Sequence, residues 1–180
     1  VCFMDMMIGK ILETLAKHEL KENTLVIVVG DHGEGLGDKG ELSHCYFIYK
    51  ATQHVPLIMA WKGKINPGLR VAASVSLADL MPTILELLET ETKVYKPLKD
   101  PRNSQVEELG RRSFASVVYG GTLSDRPCYM ETLWPYYAEG WAPLFGLIDE
   151  DKKIIRAPTP ELYDLTVDPH ENNNIFAKEK

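Results

Sequence analysis

The chain has 180 residues, enough for one domain or for a core half with a smaller appended subdomain, and a chain of this size buries about 70% of the surface its unfolded form exposes. With 20 Lys and Arg against 26 Asp and Glu, the formal net charge of -6 gives no basic footprint for nucleic acid and little attraction to an anionic membrane surface. No apolar run approaches the roughly 18 residues of a membrane span, the first residues lack the parts of a signal peptide, and Cys2, Cys45 and Cys128 make neither a disulfide framework nor a zinc spacing.

Between residues 3 and 20, apolar side chains recur at Met4, Met7, Ile8, Ile11, Leu12 and Leu15. That spacing predicts an amphipathic helix covering a sheet, with Lys17, His18 and Lys21 near its end on the surface and Asn23 as its stop. Leu25 to Val29 is β-branched and apolar, as a buried strand requires. It ends at Gly30 in a burst of glycine and charge, Gly30-Asp-His-Gly-Glu-Gly-Leu-Gly-Asp-Lys-Gly40. Cys45 to Tyr49 then extends into strand or helix, and Val55 to Trp61 reads as a second buried strand. Asn66-Pro67-Gly68 is a turn, and residues 71–75 suit a short strand. Ser76 and Asp79 supply start signals for a helix to about Glu89, with Leu80, Ile84, Leu87 and Leu88 on its buried side and Pro82 in its first turn. Residues 91–112 turn polar and read as a linker or surface excursion. Beyond it, Pro127 to Thr132, Leu144 to Ile148 and Lys152 to Arg156 read as a small antiparallel sheet. The last two strands are joined by the acidic turn Asp149-Glu150-Asp151. The aromatic stretch Leu133 to Ala142 either lines a sugar or aryl site or closes the subdomain on the core.

Chemistry concentrates just past the first strand. Asp31 offers a hard carboxylate and His32 an imidazole, so the pair can hold a divalent cation, although the dipeptide equally suits a turn residue and a surface histidine. Gly33, Gly35, Gly37 and Gly40 let the backbone take positive φ and wrap closely round a small charged group; their plainer reading is a flexible loop. His44 can give a proton at neutral pH, and Lys39 is either a substrate contact or a solvated loop charge. His54 is expected to pack or pair at a strand start. Cys45 adjoins His44 without forming a nucleophilic pair, because neighbours on an extended strand point to opposite faces.

Asp31-His32-Gly33-Glu34, Leu36-Gly37, Gly40, His44, Tyr49 and Val55-Pro56-Leu57-Ile58 together resemble the second half of the sulfatase catalytic domain, within the alkaline phosphatase-like superfamily. Leu80-Met81-Pro82-Thr83-Ile84-Leu85 and the closing stretch Glu161 to Asn174 resemble further parts of it, and Leu109 to Phe114 resembles the segment before its carboxyl-terminal subdomain. The resemblance implies an α/β fold, part of an alkaline phosphatase-like sandwich, with 1–90 as the second half of the core and 113–180 as a small antiparallel β subdomain. It implies hydrolysis of small-molecule or glycan sulfate esters, with Asp31 and His32 as ligands of a divalent cation, Ca2+ first and Mn2+ or Zn2+ as alternatives. His44 then acts on the transferred group or leaving group, with Lys39 as a second substrate contact. Many sulfatases carry Asn where His32 stands; the histidine also occurs in phosphonate and phosphodiester hydrolases of the superfamily. The Cys/Ser-x-Pro-x-Arg motif that yields formylglycine is absent, so the nucleophile is expected on an upstream segment and these residues alone are expected to lack turnover. The residues suit a sulfatase fragment first, and also a phosphoester or phosphonate hydrolase or a non-catalytic binding domain of the same fold.

Overall fold

The computed structural model of the chain describes residues 1–89, 113–123 and 127–178. The expected linker at 91–112, with Arg111 and Arg112, lies outside the described residues.

Helix α1 (Cys2–Lys17) forms as its periodicity dictates, but none of its residues is buried. The expectation that it covers a sheet is therefore corrected: Met4 and Ile11 are 62% and 61% exposed, and the stripe is half-covered only at Ile8 and Leu15. The physical reason is the width of what lies beside it. Among the described residues, strand β1 (Val26–Val29) pairs only with β2 (Leu57–Ala60), antiparallel, with Val26 opposite Ala60 and Val29 opposite Leu57. Two strands give a helix face little to rest on. Residues 71–75, expected as a strand, form none.

Along β2 the side chains alternate as a pleated strand requires. Leu57 and Met59 face a core made by Leu87, Phe114, Ala115, Val117 and Val118, while Ile58 stays exposed. Leu87 ends helix α3 (Leu80–Leu87), and the last three lie in the short helix α4 (Ala115–Val118). A short helix, α2 (Lys50–Gln53), precedes β2. The Ser76–Asp79 capping box starts the turn that leads into α3. Thr83, not Leu88, takes the buried side of α3: its hydroxyl donates to the Asp79 carbonyl at 2.6 Å and accepts from the Phe114 N–H at 2.9 Å, whereas Leu88 is exposed.

The second layer is a four-stranded antiparallel meander of β3 (Cys128–Thr132), β4 (Leu144–Asp149), β5 (Lys152–Arg156) and β6 (Glu161–Asp164). The first three match the sequence expectation; β6 was not anticipated. The aromatic stretch between β3 and β4 contains helix α5 (Trp134–Glu139), ended by Gly140 at φ 69°. Ile48, Ile155 and Tyr163 form the core of this layer. Gly146 lies where Ile48 presses on the sheet, since a Cβ there would sit 2.8 Å from Ile48 Cδ1. The loop after the glycine burst is thus seated directly on the meander.

Candidate active site

The β1–β2 ladder continues one step past the strands, with the Gly30 N–H donating to the Pro56 carbonyl at 3.2 Å. Asp31 and His32 leave the sheet there, beside His54. Expected to pack or pair, His54 is instead exposed: only its backbone acts structurally, closing α2 through a 2.9 Å bond to the Lys50 carbonyl. Asp31, His32 and His54 border a broad cleft of about 1400 Å3 that reaches Leu12 and Leu15 of α1.

The glycines divide into two jobs. Gly33, Gly35 and Gly37 donate their N–H groups to the carbonyls of Thr52 (2.8 Å), Ser43 (2.6 Å) and Glu41 (2.8 Å), zipping the burst to the loop that follows. A Cβ at Gly33 would lie 2.0 Å from the Ala51 carbonyl oxygen, and one at Gly35 2.3 Å from that of Glu41. Gly37, besides its zipper bond, and Gly40 turn the chain, at φ 96° and 82° with open space around them. Buried Glu41 shapes the returning strand of the loop by accepting the N–H groups of Tyr46 (2.7 Å) and Phe47 (3.4 Å). Cys45 is no extended-strand residue: it bends at φ 88°, and its carbonyl accepts the Thr132 hydroxyl.

The zipper brings His44 to His32, with ring centroids 4.0 Å apart and planes tilted by 30°. Nδ1 of His44 lies 3.3 Å from both Glu34 carboxylate oxygens and 3.3 Å from the Ser43 hydroxyl. Glu34 has a place in the site that the sequence reading gave it no role for, though it stands in the same Asp-His-Gly-Glu run. Nδ1 of His32 is 2.8 Å from the Gly33 carbonyl, and its Nε2 is 3.8 Å from Asp31 Oδ2. The His32 backbone N–H, donating to Asp31 Oδ1 at 3.0 Å, is the main cause that holds that carboxyl below its ordinary range.

This donor set fits a cation. With Nδ1–H committed to a backbone carbonyl, His32 presents the Nε2 lone pair, the arrangement that orients a ligating imidazole. Nε2 and the Asp31 oxygen stand about as far apart as neighbouring ligands with bonds of roughly 2.0 to 2.5 Å. Two donors do not complete a shell, and among the described residues no group of three or more His, Cys, Asp or Glu is gathered to hold a metal.

Lys39 reaches across to the closing segment, donating to the Glu171 carbonyl at 2.6 Å and to Asn172 Oδ1 at 2.7 Å. Two of its three ammonium donors are thereby committed. Glu171 itself is a hub that sequence reading missed. Its carboxylate accepts the Lys50 N–H at 2.9 Å and pairs with Lys153 at 2.6 Å, and the same ammonium donates to the Ile48 carbonyl at 2.6 Å. Both side chains are almost wholly buried, and burial pushes the Lys153 ammonium down against the pull of Glu171. A lysine two residues before Ile155, on the same strand face, was the hint of an inward charge. Nearby, Glu161 accepts the hydroxyls of Tyr49 (2.9 Å) and Tyr163 (2.7 Å); burial first, and this bond second, raise Tyr49 to about 12.

A family model described as Sulfatase matches residues 1–90. Arylsulfatase K of Mus musculus is 30% identical over 183 residues, covering 95% of this chain and 30% of that protein. Choline-sulfatase of Rhizobium meliloti (strain 1021) is 29% identical over 178 residues, covering 97% and 31%. Among solved structures, a protein in complex with its substrate D-glucosamine-2-N, 6-O-disulfate superposes with a TM-score of 0.77 at 28% identity, covering 96% of this chain and 34% of that one. The phosphonate monoester hydrolase of Silicibacter pomeroyi superposes with a TM-score of 0.72 at 26% identity, covering 96% and 34%. The chain thus spans about a third of the length of these relatives. A family match over half its residues and a shared fold over nearly all of them lead to one conclusion: the chain belongs to the sulfatase family, within the alkaline phosphatase-like superfamily.

Proposed function

We propose that this chain is the carboxyl-terminal part of a metal-dependent enzyme that hydrolyses sulfate esters, the nucleophile being a formylglycine on a segment outside these 180 residues. The observation that carries the reading is the meeting of Asp31, His32 and His44 at one sheet edge, with the two rings 4.0 Å apart. Asp31 and His32 would hold the cation, Ca2+ first, with Mn2+ and Zn2+ as alternatives that an imidazole ligand favours. When bound, the cation supplies positive charge where negative charge develops on the sulfuryl oxygens.

The chain's own residues do the rest. Asp31 would offer its carboxylate and His32 its Nε2, the ring being oriented by the Gly33 carbonyl. Glu34 holds the proton on His44 Nδ1, so a protonated ring keeps its Nε2 proton for the departing alcohol. Lys39 ties the same loop to the closing segment, and its remaining ammonium donor is a candidate substrate contact.

Phosphonate hydrolysis is the second reading, favoured by the phosphonate monoester hydrolase of similar fold. Turnover of an aryl sulfate against an aryl phosphate diester by the full-length protein separates the two. The expected result is the larger kcat/KM on the sulfate, with His44→Ala lowering kcat about 10² to 10⁴-fold, the usual contribution of a general acid. A dominant phosphate activity overturns the choice of ester, and an unaltered His44→Ala rate overturns the role of His44.

A further inference from the structure

His44 lies between two peptide units that the fold pins in place. Before it, the Ser43 carbonyl accepts the Gly35 N–H at 2.6 Å. After it, the peptide between Cys45 and Tyr46 is held at both ends: the Tyr46 N–H donates to Glu41 Oε1 at 2.7 Å, and the Cys45 carbonyl accepts the hydroxyl of Thr132, the last residue of β3. A peptide unit is planar, so grips on its N–H and its carbonyl together fix its orientation. The backbone they hold is strained. Cys45 bends at φ 88°, a left-handed conformation that a side chain disfavours and that persists only where the surroundings impose it.

Glu41 is 6% exposed and, among the described residues, forms no ion pair; its carboxylate receives the Tyr46 N–H and, at 3.4 Å, the Phe47 N–H. A buried carboxylate without a cation is costly, and an apolar side chain would fill the same space without that cost. The zipper needs only the Glu41 backbone, whose carbonyl accepts the Gly37 N–H. The carboxylate itself serves the bend. We propose that Glu41 and Thr132 are positioning residues for His44: by fixing the Cys45–Tyr46 peptide they impose the left-handed bend that turns the His44 ring to His32 and Glu34. The inference deepens the reading of His44 as the proton donor to the leaving group and rests on it.

The test uses the full-length protein and two aryl esters. The leaving group of p-nitrophenyl sulfate departs readily, whereas that of phenyl sulfate depends more on a donated proton. Glu41→Met removes the acceptor at similar length. It is expected to lower kcat about 100-fold on phenyl sulfate, the scale of a misplaced catalytic group, and much less on p-nitrophenyl sulfate, the pattern expected of His44→Ala. Thr132→Val is expected to show the same pattern at about tenfold, the scale of one hydrogen bond. Both N–H groups go to one oxygen of Glu41, so Glu41→Gln is expected to keep the wild-type rates. Equal losses on the two esters in Glu41→Met and Thr132→Val, or a Glu41→Gln variant as slow as Glu41→Met, overturn the proposal. Hydrogen exchange at the Tyr46 amide, read at single residues by mass spectrometry, is independent of turnover. Slow exchange in the wild type and in Glu41→Gln, with fast exchange in Glu41→Met, supports the clamp even where no ester is hydrolysed and only the sulfatase reading fails. Exchange unchanged in Glu41→Met overturns the clamp.

Discussion

At the scale of single residues, the site depends on atoms that are missing as much as on those present. Gly33 has no room for a methyl group, because the Ala51 carbonyl oxygen stands 2.0 Å from where its Cβ would be. Gly33→Ala is therefore expected to push α2 away from the burst and to lower stability by about 1–3 kcal/mol, the usual cost of overpacking. Gly37→Ala meets open space and suffers only the left-handed backbone, about 1–2 kcal/mol. Chemical denaturation of both variants checks the division; equal small losses would contradict it. The buried Lys153–Glu171 pair is a second test. Lys153→Met leaves the Glu171 carboxylate without its cation in a dry environment, and such one-sided removals cost about 3–5 kcal/mol. A loss below about 1 kcal/mol in the same measurement would mean that the pair is solvated in solution. The sequence announced the glycines as a group and could not separate close approach from positive φ. That distinction depends on residues 41–52, which the zipper brings back across four positions at Gly37 and nineteen at Gly33.

At the scale of elements, the closing segment acts as a clasp. Asp168 accepts the N–H groups of Asn172 at 3.0 Å and Asn173 at 2.7 Å, and these bonds hold its carboxyl below the ordinary 3.8. Because the folded group gives up its proton more readily than the unfolded one, its stabilisation is fully present above 3.8 and is lost as pH falls through the lowered folded value. Amide resonances of Asn172 and Asn173 are expected to shift in that acid window, and Asp168→Asn should abolish the titration. Shifts unchanged in Asp168→Asn would assign the effect elsewhere. Strands of the meander were legible because Met130, Leu147 and Ile155 sit in short runs of β-forming residues between turn signals. The strand β6 was hidden inside a stretch rich in Asp and Asn, and its pairing with β5 is set by tertiary contact, with Lys153 opposite Tyr163. Residues 71–75 carry strand-like composition but pair with no strand among the described residues, and so stay irregular. Helix α1 formed from its periodicity, but what its stripe rests on was not written in those sixteen residues.

Over the whole molecule, the loop bearing His44 is gripped from three sides: the glycine burst, the meander through Ile48, and the closing segment through Glu171. Each grip spans distant parts of the sequence, which is why motif reading found Asp31, His32 and His44 and passed over Glu34, Lys153 and Glu171. Among the described residues, no helix is long and apolar enough to cross a membrane. The account stands or falls on whether Asp31 and His32 together hold a divalent cation. Metal content of the purified full-length protein, measured by mass spectrometry for the wild type, Asp31→Ala, His32→Ala and His44→Ala, tests this directly. The account predicts bound metal in the wild type and in His44→Ala, and its loss in both ligand variants. Undiminished metal in Asp31→Ala and His32→Ala would contradict it.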